Sequence, residues 1–273
     1  MTSVGAAKVE TGGNQRATAR YVYCVVPLAG VSVGHAYGTG LDGQPVYQVS
    51  QGRIAVLVHD CPAEPYRPAD RATVERLVLA HHSVVEAAFE EFGCVLPMTF
   101  NSIVAASQDK NAAGNLAVWL ESEQDLLVRR LDALRGKAEY GLHVSWPTSA
   151  VLERVRRESA EIRRLEDEVG AKSPGAAYLL RQKLELTLKR EAERWTSELY
   201  ATTYRKLQAC SEQTRIDKAS TADGGQETAV NFSCLIQRDR VEDLQRMVDE
   251  LAADESLCVR LVGPLPPYSF CRT

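Results

Sequence analysis

The chain has 273 residues, 45% hydrophobic and 25% charged, so it can bury the cores of one large or two ordinary domains. Its formal charge of -4 and pI near 5.8 argue against nucleic acid as the main partner, because phosphate binding needs a net basic face. No apolar run approaches the ~18 residues of a membrane span, and seven scattered cysteines without C-x-x-C spacing read as free thiols of a reducing cytoplasm.

Residues 1–19 are rich in Gly, Thr, Ala and Gln and lack the apolar block of a signal peptide; they are expected to form a disordered tail. Residues 21–26 are apolar and β-rich and stop at Pro27, which predicts a strand. A Gly-rich loop over 30–43 follows. Two further β runs, 46–49 and 54–58, flank Gly52 and predict a hairpin; the second is apolar at nearly every position, as in a strand covered on both faces. Pro62, Pro65 and Pro68 keep the next segment extended. Asp70 then reads as a helix N-cap and Gly93 as a helix stop, with Leu77, His81, Val84, Val85, Ala88 and Phe92 at helical spacing between them. Residues 95–104 are a strand candidate. Leu116, Leu120, Leu127, Leu131 and Leu134 mark a second helical stretch, restarted at Ser122 and closed by Gly136. Tyr140, Leu142, Val144 and Trp146 alternate, which predicts a half-buried strand with His143 on its other face. The order β-β-β-α-β-α-β over 20–147 predicts an α+β domain of ferredoxin-like sandwich type with an extra hairpin strand.

From Ser149 the character changes. Val151, Val155, Ile162, Leu165 and Val169 keep steps of three and four, interrupted by Glu158. A Pro/Gly loop over 170–175 leads into Leu180, Leu184, Leu188, Trp195 and Leu199, predicting a long antiparallel helical hairpin. Residues 211–228 are polar and Gly-bearing and read as a mobile loop. Val230, Phe232, Cys234 and Ile236, then Val241, Leu244, Val248 and Leu251, then Leu257, Val259 and Leu261 predict a small β-α-β unit. Residues 148–273 are thus a second α+β domain. Cys24, Cys234 and Cys258 fall inside strands, where a thiol serves as a small hydrophobe.

No phosphate loop, dinucleotide-binding glycine motif, nucleophile elbow or zinc helix is present. His81 and His82 are adjacent and point about 100° apart on a helix, a poor arrangement for one metal. His81 lies on the apolar stripe and reads as a core or interface histidine, with a ligand or proton-switch role as the alternative. His59 and His143 could line a sheet groove. No carboxylate pair stands out, so no catalytic residue, cofactor site or metal site is assigned.

The most distinctive segment is Gly263-Pro264-Leu265-Pro266-Pro267-Tyr268-Ser269-Phe270. Its three prolines predict a rigid, extended strap, with Tyr268 and Phe270 presented on one side. The segment resembles the GPWPPYSF ending of the gas vesicle protein GvpF/GvpL family, with Leu265 in place of Trp. Tyr21-Val22-Tyr23 is similar to that family's opening YLY strand. Leu96-Pro97-Met98-Thr99-Phe100-Asn101 stands where the family has LPxRFG, so Thr99 replaces Arg and Asn101 replaces Gly. Ala177-Tyr178-Leu179 matches its AYL. Asn is the non-Gly residue that best tolerates φ > 0, so the turn at Asn101 is expected to survive.

The resemblance implies a minor gas vesicle component or assembly factor that works by contact and has no enzyme activity. It implies binding to the small, hydrophobic shell protein and to other minor gas vesicle proteins, in the cytoplasm and on the gas vesicle, with no nucleic acid and no membrane as partner. Gly263, Pro264, Pro266, Pro267, Tyr268, Phe270, Pro97 and Phe100 are the candidate partner-binding or family-marking residues. Two readings from other classes stand beside it: a small-molecule or haem enzyme using His59 or His143, and a coiled-coil adaptor that self-associates through the helical hairpin.

Overall fold

A computed structural model describes residues 19–28, 37–222 and 227–271. Of the tail expected over 1–19, only Ala19 is among the described residues, and it is not tail but the buried first residue of a strand, because it pairs with Cys61 and Ala105; part of the Gly-rich loop and residues 223–226 also lie outside the described residues. The chain forms two compact units, 1–135 and 136–273. Among the described residues it holds nine strands, in two antiparallel sheets, and six helices, so the α+β class is observed.

The first unit is built on β1 (Ala19–Pro27) and β3 (Ile54–Cys61), which are buried along almost their whole length. The hairpin partner β2 (Tyr47–Gln51) turns into β3 through Gly52 at φ +58°. The sheet order is β2-β3-β1, with β4 (Leu96–Pro97) and β5 (Ile103–Ala105) both along the free side of β1. Helix α1 (Arg71–Phe92) starts at Asp70, whose side chain accepts the Thr73 N–H, and stops at left-handed Gly93. Helix α2 (Ala112–Leu134) is capped by Asn111 and runs unbroken past Ser122. Its five stripe leucines are all buried, each contributing roughly 1.5–3 kcal/mol. In α1 the buried aromatic is Phe89, whereas Phe92 is only half-buried.

The strand predicted over 95–104 is divided. Val25 pairs with Leu96 and Cys24 with Pro97. That register would set Tyr21 opposite residue 100, but Tyr21 pairs with Ile103. Three extra residues therefore protrude between β4 and β5, where Asn101 takes φ +68°. A bulge in β1 between Val22 and Cys24 lies beside this protrusion.

The strand read at 140–146 belongs to the second sheet, not the first. It is β6 (Lys137–Pro147), paired with β8 (Glu227–Gln237) from Lys137↔Gln237 to Pro147↔Glu227 and with β9 (Cys258–Leu265) on its other side. Alternation identifies a strand and its buried face, but partner choice rests on contacts about ninety residues away. With β7 (Gln213–Ala222) at one edge, the sheet order is β7-β8-β6-β9. With three helices between β6 and β7, and α6 (Val241–Ala252) between β8 and β9, this is the split β-α-β-β-α-β connectivity of ferredoxin-like folds.

Residues Gln213–Ala222, inside the predicted loop, form edge strand β7. An edge strand needs no apolar alternation, which is why its polar composition reads as a loop. The helical hairpin is present. Its first arm is two helices, α3 (Thr148–Glu158) and α4 (Ala160–Gly170), broken at Ser159, which is extended and caps α4. The second arm is α5 (Pro174–Cys210). Arg190 of α5 meets Glu161 of α4 at 2.9 Å across the hairpin. Cys24 and Cys234 are buried strand thiols, but Cys258 is exposed because β9 is an edge strand with alternate positions in solvent.

Candidate functional site

Six of the eight candidate residues lie in the closing strap of the second unit. Gly263 and Pro264 are exposed within β9, joined by a cis peptide. Gly263 sits at φ +139°, and a Cβ there would lie 2.6 Å from Tyr140 Cδ1 and 2.9 Å from the Glu139 carbonyl oxygen, so no side chain fits. Pro266 and Pro267 are buried. The chain then leaves the extended path expected of it. The Pro266 carbonyl accepts the Tyr268 N–H, a γ-turn about Pro267, and the Pro267 carbonyl accepts the Phe270 N–H, closing a short 3-10 turn over Tyr268–Phe270. Prolines carry acceptors even though they lack donors, and two of those acceptors nucleate these turns. The two rings differ in exposure: Phe270 is buried with the Arg215 guanidinium 5.5 Å from its ring centre, and Tyr268 is half-buried. Ser269 donates its N–H and its hydroxyl to the buried carboxylate of Glu139, at 2.8 and 2.6 Å.

Pro97 and Phe100, the other two candidates, are half-buried in the first unit around the protrusion between β4 and β5. The left-handed turn at Asn101 survives the loss of Gly, and Asn101 adds bonds a glycine cannot make. Its side chain accepts the Tyr66 N–H at 2.9 Å and donates to the Tyr66 carbonyl at 3.0 Å.

Behind this protrusion is a buried network of two tyrosine–histidine pairs. Tyr21 Oη accepts the Asn101 N–H and lies 2.9 Å from His81 Nδ1; His81 Nε2 lies 3.2 Å from the Met98 carbonyl. Tyr23 Oη accepts the Leu41 N–H and lies 2.8 Å from His59 Nδ1; His59 Nε2 lies 3.4 Å from Tyr66 Oη. A carbonyl only accepts, so His81 carries its proton on Nε2 and takes the Tyr21 hydroxyl proton on Nδ1. Burial lowers both imidazoles to about 4 and raises both phenols. Asp42 and Asp60 partly oppose the shift at His59. With both ring nitrogens engaged in the core, His59 cannot offer one to a haem unless this network is dismantled. His143 Nδ1 is bonded to Asn231 Oδ1 across the β6–β8 pair. Among the described residues no group of three or more His, Cys, Asp or Glu could hold a metal ion.

The second unit also holds an apolar groove of about 560 Å³ between α3 and α5. Trp146, Val151, Leu152, Leu188 and Ala192 line it, and Glu185, Lys189 and Glu193 stand on the α5 side. Trp195 meets Trp146 edge-to-face at 5.7 Å. The α5 stripe explains the groove. Large residues stand at Leu184, Leu188, Trp195 and Leu199, but the turn between Leu188 and Trp195 offers only Ala192. This gap is visible in the sequence, although an apolar stripe is ordinarily taken as core. No helix among the described residues is long and apolar enough to cross a membrane.

The model of the family described as gas vesicle synthesis protein GvpL/GvpF matches residues 19–272. The chain is 34% identical over 254 residues to gas vesicle protein F of a Streptomyces species, covering 92% of this chain and 98% of that protein. It is 27% identical over 272 residues to gas vesicle protein L1 of Halobacterium salinarum, covering 96% and 94%. Its fold is similar to the crystal structure of GvpF from Anabaena sp. PCC7120, with a TM-score of 0.72 at 18% identity over 94% of this chain and 99% of that one. Matches to both F and L proteins agree with the motifs at Tyr21, Leu96, Ala177 and Gly263, and the chain belongs to the GvpL/GvpF family of gas vesicle synthesis proteins, with a gas vesicle-associated role.

Proposed function

We propose that this chain is an assembly factor, or minor component, of gas vesicles that binds the small hydrophobic shell protein before or during assembly. The groove floored by Trp146, Val151, Leu152, Leu188 and Ala192 carries the reading. A shell subunit with a large apolar face aggregates unless something covers that face. The groove follows α5 from Glu185 to Ser197, a length of about 18 Å at ~1.5 Å per residue, which suits three turns of an amphipathic helix. Glu185, Lys189 and Glu193 would fix its orientation. The strap from Gly263 to Phe270 then serves to hold the second unit together, and Pro97 and Phe100 shape the protrusion of the first.

The test is a pull-down with the shell protein that compares the intact chain, a chain ending before Gly263, and Ala192→Glu. Capture by the intact chain and loss in Ala192→Glu are expected. Failure of the intact chain to retain shell protein that is held dispersed would overturn the assignment. Full binding by the truncated chain would confine the strap to a structural role.

A further inference from the structure

We propose that the Tyr21–His81 pair is an acid-sensitive latch on the segment 98–102 that joins β4 to β5. The segment is tied to β1 at its ends, where the Met98 N–H donates to the Tyr23 carbonyl and the Ser102 carbonyl accepts the Val22 N–H, and to Tyr66 through the Asn101 side chain; between these ties the Tyr21–His81 pair adds two bonds from behind. Tyr21 Oη takes the Asn101 N–H, and His81 Nε2–H donates to the Met98 carbonyl. The Asn101 bond depends on one protonation state of His81, whereas the Met98 bond is donated by Nε2–H in the neutral ring and in the imidazolium alike. The Tyr21 hydroxyl accepts from Asn101 only while its own proton has somewhere to go, and that place is the lone pair on His81 Nδ1.

A proton from solvent on His81 Nδ1 fills that lone pair. The imidazolium then presents a donor to an oxygen that already accepts one, and the Tyr21 hydroxyl proton loses its acceptor. The closed state would hold a buried cation and an orphaned donor side by side, both costly. His81 is 5% exposed. The groups around it offer no full counter-charge: Tyr21 and Tyr23 from β1, Phe100 from the protrusion, and His82 on α1, which disfavours the charged form; burial outweighs the Met98 carbonyl, the one neighbour that favours it. Swinging the segment out hydrates the cation and frees the hydroxyl, so opening relieves both costs. Met98, Phe100 and Asn101 would move with it.

His59 is built differently. It is fully buried, faces Tyr21, Tyr23 and Tyr66, and has Asp42 and Asp60 near enough to favour its charged form. It holds no backbone group of the 98–102 segment, so the latch is assigned to His81.

The chain contains three methionines, Met1, Met98 and Met247. Met98 lies on the segment and Met247 is buried in α6 of the second unit, so methyl-13C methionine labelling of the full chain gives a reporter and an internal control. Between pH 7.5 and 4.5 the Met98 methyl signal is expected to move to a second position with a midpoint below 6.5, while Met247 stays. In His81→Gln the Met98 signal should be independent of pH. Tyr21→Phe, which keeps the ring and removes the hydroxyl, should shift the midpoint towards the ordinary histidine value. The latch is overturned if Met98 does not move in the native chain, if it moves only together with Met247, if it titrates unchanged in His81→Gln, or if Tyr21→Phe leaves the midpoint where it was.

Discussion

Ser269 closes its backbone N–H and its hydroxyl on the two carboxylate oxygens of Glu139, a residue 130 positions earlier on the central strand β6. Glu139 is 6% exposed, so this carboxylate depends on its donors. Hydrogen bonds to a buried charge are each worth about 1.5–3 kcal/mol. Ser269→Ala removes one and should destabilise the second unit by about that amount. Glu139→Gln should cost on the order of 1–3 kcal/mol. Urea unfolding in a Trp119→Phe background, where fluorescence comes from Trp146 and Trp195 alone, measures both. Midpoints equal to the native one would show that the strap is held by its prolines and Phe270 only.

Gly263 and Gly141 make a matched pair on adjacent strands. A Cβ at Gly263 would strike Tyr140 and the Glu139 backbone at φ +139°, whereas a Cβ at Gly141 meets nothing within 4 Å. Gly263→Ala should cost on the order of 2–4 kcal/mol, because both strain and a backbone clash must be relieved. Gly141→Ala should be neutral or stabilising, since an alanine loses less freedom in a strand. Equal melting temperatures for the two variants would contradict the geometry.

The local features of this fold are legible in the sequence because local chemistry sets them. Asp70, Gly93 and the five leucines of α2 each do what their type and spacing dictate. So does Asn101, whose tolerance of φ > 0 carries the turn through the loss of the family's Gly. The pairing of β6 is not legible. Nothing in Tyr140, Leu142, Val144 and Trp146 says whether their partner is β1 or β8. Edge strand β7 is hidden for the opposite reason, since it needs no apolar pattern. The break at Ser159 shows only as a polar Glu158 in the stripe. Of the candidate residues, Gly263 and Phe270 stand out by type, but the carboxylate that Ser269 binds does not, because Glu139 looks like any other acid in the chain.

The side chain of Asn101 does two jobs that substitutions can separate. It occupies φ +68° and bonds both backbone groups of Tyr66. Asn101→Gly keeps the conformation and loses the bonds, for a cost of about 1–2 kcal/mol. Asn101→Ala loses the bonds and strains the backbone, for about 2–4 kcal/mol. The order Ala worse than Gly worse than Asn, read from thermal unfolding of the first unit, is the outcome to check. A glycine variant as stable as the native chain would mean that the Tyr66 bonds contribute nothing net.

Two neutral histidines in the first-unit core make its stability depend on pH. His59 and His81 are lowered to about 4 when folded, against an ordinary value near 6.5. Between those values the unfolded chain binds protons that the folded chain does not, so acid favours unfolding. The contribution is fully present above about pH 6.5, is lost as pH falls, and levels off near pH 4. Each histidine should account for on the order of 2–3 kcal/mol. Calorimetry at pH 7 and pH 4.5 should show a smaller drop in melting temperature for His59→Gln and His81→Gln than for the native chain. A drop of the same size in all three would assign the acid sensitivity to other groups.

The groove on the second unit can be tested without disturbing what holds that unit together. Ala192 lies at the gap in the α5 stripe, lines the groove and is only half-buried. A longer side chain can therefore enter the cavity of about 560 Å³ instead of the core. Ala192→Glu places a carboxylate on an apolar floor beside Glu185 and Glu193, so an apolar helix would meet both a steric block and an unpaired charge. Stability should change by less than about 1 kcal/mol, because glutamate is a good helix former and the site is open to solvent. Capture of shell protein should fall at least tenfold. Ala192→Leu fills the same space without charge and separates the two effects: shape exclusion alone predicts a loss as large as with Glu, whereas a groove that adapts around an apolar partner predicts near-native capture with Leu and loss only with Glu. Native capture by both variants would move the binding surface away from this groove altogether.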